Sequence, residues 1–134
     1  HIVPRNRHLS QEKAMLRIAR DTTDEIAVLS LKGKLMSASE SDKLRAQIHA
    51  LKEEGYVNVV LDLGDLYLIN SEGMGAMLAC FKSLQAAQGE LKLANLSQKA
   101  TNVLVLISRL SGVFKIYDTA GEAVIGFEDP VLMA

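Results

Sequence analysis

The residues best suited to chemistry lie in one stretch, Asp62-Leu63-Gly64-Asp65-Leu66-Tyr67-Leu68-Ile69-Asn70-Ser71-Glu72-Gly73-Met74-Gly75. Ser71 stands where an apolar strand pattern gives way to a helical one, so its hydroxyl is expected to take a backbone N–H of the first turn. Gly73 and Gly75 fall inside that turn, where glycine costs about 1 kcal/mol relative to alanine. Two demands would justify a bare backbone there: close approach by another molecule, or tight packing of the helix against the sheet.

Other constellations carry less. Leu78 stands where a third glycine would complete Gly73-x-Gly75, so the dinucleotide fingerprint fails. Cys80 is the sole cysteine, which excludes an internal disulfide and a cysteine-based zinc cluster. Among Met77, Phe81 and Leu84 it reads as a small core hydrophobe, with no base or metal to activate it. His49 lies off the apolar stripe of its helix, and His1 and His8 precede the domain, so no metal-ligand spacing arises. Lys115 in a late strand would suit a phospho-aspartate receiver, yet no adjacent acidic pair follows the first strand to hold a metal. No nucleophile–base pair is visible, and the sequence predicts neither catalytic residues, nor a metal, nor a cofactor.

Composition narrows the partners. The chain has 134 residues, enough for one core and too few for two. Fifteen basic and sixteen acidic side chains give a formal charge of −1, which offers no footprint for nucleic acid or an anionic bilayer. No apolar run approaches the roughly 20 residues of a membrane span. The start His1-Ile2-Val3-Pro4-Arg5 lacks the features of a secretory signal. A cytoplasmic protein without membrane insertion is expected, with residues 1–14 an arm that need not be native, Met15 a candidate start, and residues 128–134 a tail.

The elements that must position the Ser71 stretch follow from periodicity. Residues 17–20 and 25–31 read as antiparallel strands joined by a turn at Asp21-Thr22-Thr23-Asp24. After Gly33, Ser37 or Ser39 can cap a helix carrying Leu44, Ile48 and Leu51 on one face, with Gly55 as its stop. Asn58 to Leu63 is a buried-strand pattern, and the helix after Ser71 places Met74, Met77, Leu78, Phe81 and Leu84 together until Gly89. Leu91, Leu93 and Leu96 mark a fourth strand, residues 98–110 a third helix, Phe114 to Tyr117 a fifth strand and residues 119–126 a last helix. This alternation predicts an α/β sandwich with a mixed sheet of about five strands, an N-terminal hairpin followed by parallel β-α units, and about four helices.

Asp62-Leu63 through Asn70-Ser71-Glu72-Gly73-Met74-Gly75 resembles the signature of STAS domains, in which a strand ending Asp-Leu leads to Asp-Ser-Ser/Thr-Gly-Leu-Gly at a helix start. With Gly33 upstream and Ser111-Gly112-Val113-Phe114-Lys115-Ile116 downstream, the resemblance spans residues 15–127. It implies an anti-sigma factor antagonist, a non-enzymatic bacterial regulator that binds an anti-sigma factor with serine kinase activity and is released when Ser71 is phosphorylated. A phosphatase would reset the switch. The implied partner-binding residues are Asn70, Ser71, Glu72, Gly73, Met74 and Gly75. Asn70 stands where the family usually has Asp, and Glu72 where it has Ser or Thr. That leaves open an alternative, a non-phosphorylated STAS subunit docking on a membrane transporter complex for lipids or anions.

The run Val103-Leu104-Val105-Leu106-Ile107 is apolar around too much of its circumference for a surface helix. Val105 and Leu106 are the surplus. Either a terminal arm covers them, or they join a partner surface or a homodimer.

Overall fold

The computed structural model describes residues 15–96 and 114–128. Along the chain these form β1 (Arg17–Thr23), β2 (Ile26–Leu35), α1 (Ala38–Glu53), β3 (Asn58–Ile69), α2 (Ser71–Ala86), β4 (Glu90–Ala94), β5 (Ile116–Tyr117) and α3 (Ala120–Glu128). The five strands lie in the order β1-β2-β3-β4-β5, with β1 antiparallel to β2 and every later pair parallel. This is the expected mixed α/β sandwich. Three helices occur among the described residues rather than four; the helix expected over residues 98–110, with Val105 and Leu106, lies outside them.

Alternation along the strands divides the core in two. Ala27, Leu29 and Leu31 of β2, Val59 and Leu61 of β3, and Leu91 and Leu93 of β4 face one way, where α1 contributes Leu44, Ile48 and Leu51 and α2 contributes Met77, Cys80 and Leu84. Ile26, Val60 and Ala94 face the other way and meet Ala123, Val124 and Phe127 of α3. Burying one Leu side chain is worth about 1.5–3 kcal/mol, so the larger layer carries most of the stabilisation. Lys92 falls on the α3 face and is only 2 % exposed. Its Nζ lies 3.9 Å from the centroid of the Phe127 ring and 4.9 Å from that of Tyr117, a cation–π arrangement that offsets part of its desolvation.

Several boundaries differ from expectation. The hairpin turn is Asp24-Glu25 rather than Asp21 to Asp24, because Thr22 and Thr23 pair with Ala27 and Ile26 as strand residues, which suits their β-branched side chains. Within the turn Asp24 takes up the left-handed conformation, at φ 47°. Ser37, not Ser39, caps α1: its Oγ accepts from Glu40 N at 3.2 Å and Glu40 bonds back to Ser37 N, a capping box. Gly55 closes α1 as foreseen, with Gly55 N donating to Lys52 O at 3.0 Å and Tyr56 N to Leu51 O at 2.8 Å.

At the end of α2 the left-handed residue is Gln88, at φ 66°, one position before the expected Gly89. Gly89 N donates to Leu84 O at 2.8 Å and Gln88 N to Gln85 O at 2.9 Å, so the same closing motif is built without glycine at its usual place. Gly89 serves a different need. A Cβ there would sit 1.9 Å from the carbonyl oxygen of Val57, which pins the entry to β4 against the entry to β3.

Candidate partner-binding site

β3 does not stop at Leu63; it runs on to Ile69 beside β2, so the loop expected between β3 and α2 shrinks to Asn70. The extension is irregular. β3 carries one extra residue against β2 between Asp62 and Asp65 and another between Leu66 and Leu68. Each extra residue resets the strand's alternation, so the buried side chains fall three apart at Leu63, Leu66 and Ile69. Gly64, Asp65, Tyr67 and Leu68 are left facing out, with Tyr67 43 % and Leu68 44 % exposed. A strict two-residue period could not have signalled this.

β4 accompanies β3 only as far as Asp62 opposite Ala94. There Asp62 Oδ1 accepts from Gly64 N and from Asn95 Nδ2, both at 3.1 Å, so this carboxylate organises the sheet edge. Beyond it, α2 begins.

Asn70, not Ser71, caps α2. Its backbone is extended (φ −126°, ψ −171°) and its Oδ1 accepts from Gly73 N at 3.1 Å. Its Nδ2 donates to Met36 O at 2.9 Å, in the turn between β2 and α1. Asparagine caps as well as serine, so the two adjacent residues were equally eligible. The consequence for Ser71 is large. It becomes the first helical residue, exposed, and among the described residues no hydrogen bond engages its hydroxyl. Glu72 is exposed beside it.

The two glycines separate cleanly. Gly73 is buried, and a Cβ there would lie 2.1 Å from Leu35 O, 2.8 Å from Ile69 Cγ1 and 2.9 Å from Leu35 Cγ, so internal packing accounts for it. Gly75 is exposed, and a Cβ there would meet nothing within 4 Å. Met74 is buried in the larger core. Of the six residues the sequence singles out, Asn70, Ser71, Glu72 and Gly75 therefore reach the surface, while Gly73 and Met74 fix the helix to the sheet. Tyr67 and Leu68, within the stretch that the sequence singles out, are exposed, and so is Met36, at 37 %, which the sequence did not point to.

Elsewhere the chemistry is sparse. Burial pushes the Cys80 thiol up to about 11, against an ordinary 9.0. Arg20 and Glu54 form a bidentate pair that holds the Glu54 carboxyl below its usual range, chiefly through the hydrogen bond. Among the described residues no cluster of His, Cys, Asp and Glu could hold a metal ion, and no helix is long and apolar enough to cross a membrane.

Comparison with known proteins places this geometry. The family model described as STAS domain matches residues 17–123. BtrV of Bordetella bronchiseptica, provisionally named an anti-sigma factor antagonist, is 31 % identical over 113 residues, covering 84 % of this chain and 96 % of BtrV. The structure of the Bacillus cell fate determinant SpoIIAA in its phosphorylated form is similar in fold, with TM-score 0.63 and 24 % identity over 81 % of this chain and 96 % of that one. A sulfate transporter family protein from Wolinella succinogenes shares the fold too, at TM-score 0.65 and 14 % identity, over 85 % of this chain and 93 % of the other.

Proposed function

The chain belongs to the STAS domain family, and on that footing we propose that it is an anti-sigma factor antagonist, a binding switch that engages an anti-sigma factor with serine kinase activity and is released by phosphorylation of Ser71. The observation that carries this reading is the freedom of Ser71. Asn70 supplies the cap, so the Ser71 hydroxyl stands exposed at the first helical position with no structural bond among the described residues to give up.

The physics of the switch follows from that position. A phosphate adds about −1.5 to −2 charges. At the positive end of α2 this charge is tolerated by the fold itself, because backbone N–H groups and the helix dipole favour anions there. In a tight contact with another protein, and beside the Glu72 carboxylate, the same charge repels or must be desolvated. Phosphorylation thus weakens binding without unfolding the domain. The docking face comprises Asn70, Ser71, Glu72 and Gly75, flanked by the outward side chains of Tyr67 and Leu68. The protein transforms no substrate, and a phosphatase restores the binding form.

The neutral Asn70 and the acidic Glu72 favour a second reading, in which the domain docks on a membrane transporter complex without phosphorylation. Tandem mass spectrometry separates the two. After incubation with ATP and the kinase-type anti-sigma factor of the same organism, a single phosphate on Ser71, absent from Ser71→Ala, supports the switch. An unmodified Ser71 under conditions in which the kinase is active overturns it in favour of constitutive docking.

A further inference from the structure

We propose that the outer edge of β1 is a homodimer surface, on which a second copy of this chain pairs antiparallel about a two-fold axis at Ala19 and continues the sheet from one copy into the other. This goes beyond the switch at Ser71 and does not depend on it.

β1 is an outermost strand of the sheet, and Arg17, Ala19, Arg20, Asp21 and Thr23 are exposed along it. Which of its backbone groups are spare follows from the hairpin. Thr23 and Ile26 flank a two-residue turn and so form a hydrogen-bonded pair. Alternation along the ladder then gives Asp21, Ala19 and Arg17 the inward bonds to Val28, Ser30 and Lys32, and turns the N–H and C=O groups of Ile18, Arg20 and Thr22 outward. Just before the strand, the Leu16 carbonyl is taken by Lys43 Nζ at 2.6 Å. Among the described residues, the edge over residues 18–22 has no neighbouring strand, and such an edge is a template for one.

Charge selects the register. A symmetric antiparallel pairing must set outward-bonding residues against each other, which leaves few choices. Centring on Arg17, Arg20 or Asp21 opposes that residue to its own like-charged copy, and centring on Ile18 or Thr22 gives Arg17 and Asp21 no charged partner. Centring on Ala19 sets Arg17 against the second copy's Asp21 twice, while Ile18 and the second copy's Arg20 exchange main-chain bonds. Within one chain Arg17 stands opposite Lys32, a like-charge pair that a sheet disfavours, and among the described residues no ion pair engages Arg17 or Asp21. Ala19, opposite Ser30, places nothing bulky on the axis. Ile18 packs against the larger core, so Arg17, Ala19 and Asp21 share the other face, and Arg20 on the α1 side is already neutralised by Glu54. Charged side chains on an edge usually discourage pairing. Here the opposite signs at positions 17 and 21 instead favour one partner in one register.

Sedimentation velocity of the full chain from micromolar to millimolar concentration, with circular dichroism melts in parallel, tests the dimer. Wild type is expected to associate as concentration rises. Arg17→Asp and Asp21→Arg should each weaken the dimer at least about tenfold, because both symmetric pairs become like-charged. Neither change should cost stability, since position 17 faces Lys32 and position 21 faces Val28. An equimolar mixture of the two variants should dimerise again, each Asp of one chain meeting an Arg of the other. A wild type that stays monomeric throughout, a dimer indifferent to both reversals, or a mixture that associates no better than its components would overturn the proposal. Hydrogen exchange on the wild type gives a second reading: the Ile18 and Arg20 amides should exchange more slowly as concentration rises. Equal protection at every dilution would mean that another part of the same chain covers the edge, and would also overturn it.

Discussion

At the scale of single residues, the exchange of roles between Asn70 and Ser71 reverses what mutation should do. A capping Ser71 would lose about 1 kcal/mol on truncation. Since Asn70 is the cap, that loss belongs to Asn70→Ala, and Ser71→Ala should leave the urea midpoint nearly unchanged. Ser71→Asp should fold equally well, because an acidic side chain in the first turn suits the helix dipole. The glycines make a second pair of opposites. Gly73→Ala must displace Leu35 or Ile69 and should cost roughly 1–3 kcal/mol, whereas Gly75→Ala should stabilise by up to about 1 kcal/mol, as denaturant melts would register. The identity of this cluster was legible in the sequence, and so were the alternative explanations for its glycines. What could not be read was which explanation holds for which glycine, since that depends on the Leu35 carbonyl, 38 residues away along the chain. Lys92 was illegible for a similar reason: only the fold brings Tyr117 and Phe127 over its ammonium group.

At the scale of elements, helices were the easier part, because three or four apolar side chains per face and a capping residue determine each one locally. Leu44, Ile48 and Leu51 on α1 were placed correctly for that reason. β3 was harder: its two extra residues break the alternation from which a strand is recognised, and Gly64, Asp65 and Asn70 look like loop. The end of α2 was misplaced by one residue because Gln88 adopts a left-handed conformation that glycine usually supplies. This yields a prediction. Gln88→Gly should raise stability by up to about 1 kcal/mol, as a left-handed non-glycine residue costs about that much or more. Gly89→Ala should destabilise strongly, its Cβ being aimed at the Val57 carbonyl. Thermal melts of the two variants should therefore move in opposite directions from adjacent positions.

At the scale of the whole molecule, the sheet separates a large core under α1 and α2 from a smaller one under α3, and Cys80 reports on the larger. Its thiol is raised to about 11, so the folded state holds the proton more tightly than the unfolded chain does. The associated stability is fully present below the ordinary value of 9.0 and is lost as pH rises through about 11. Accordingly, Cys80 should react with a disulfide reagent at pH 8 roughly 100-fold more slowly than an unfolded control, by the ratio of thiolate fractions alone. A near-equal rate would show that the helices open readily. Ser71 lies exposed at the start of α2, the position that the proposed switch requires. The most direct test is titration calorimetry of the kinase-type anti-sigma factor against wild type, Ser71→Asp and Ser71-phosphorylated protein, with stability checked in parallel. Tight binding by wild type, at least about tenfold weaker binding by both charged forms, a difference of about 1.4 kcal/mol or more, and unchanged melting curves are predicted. Equal affinity across the three forms would contradict a switch at Ser71.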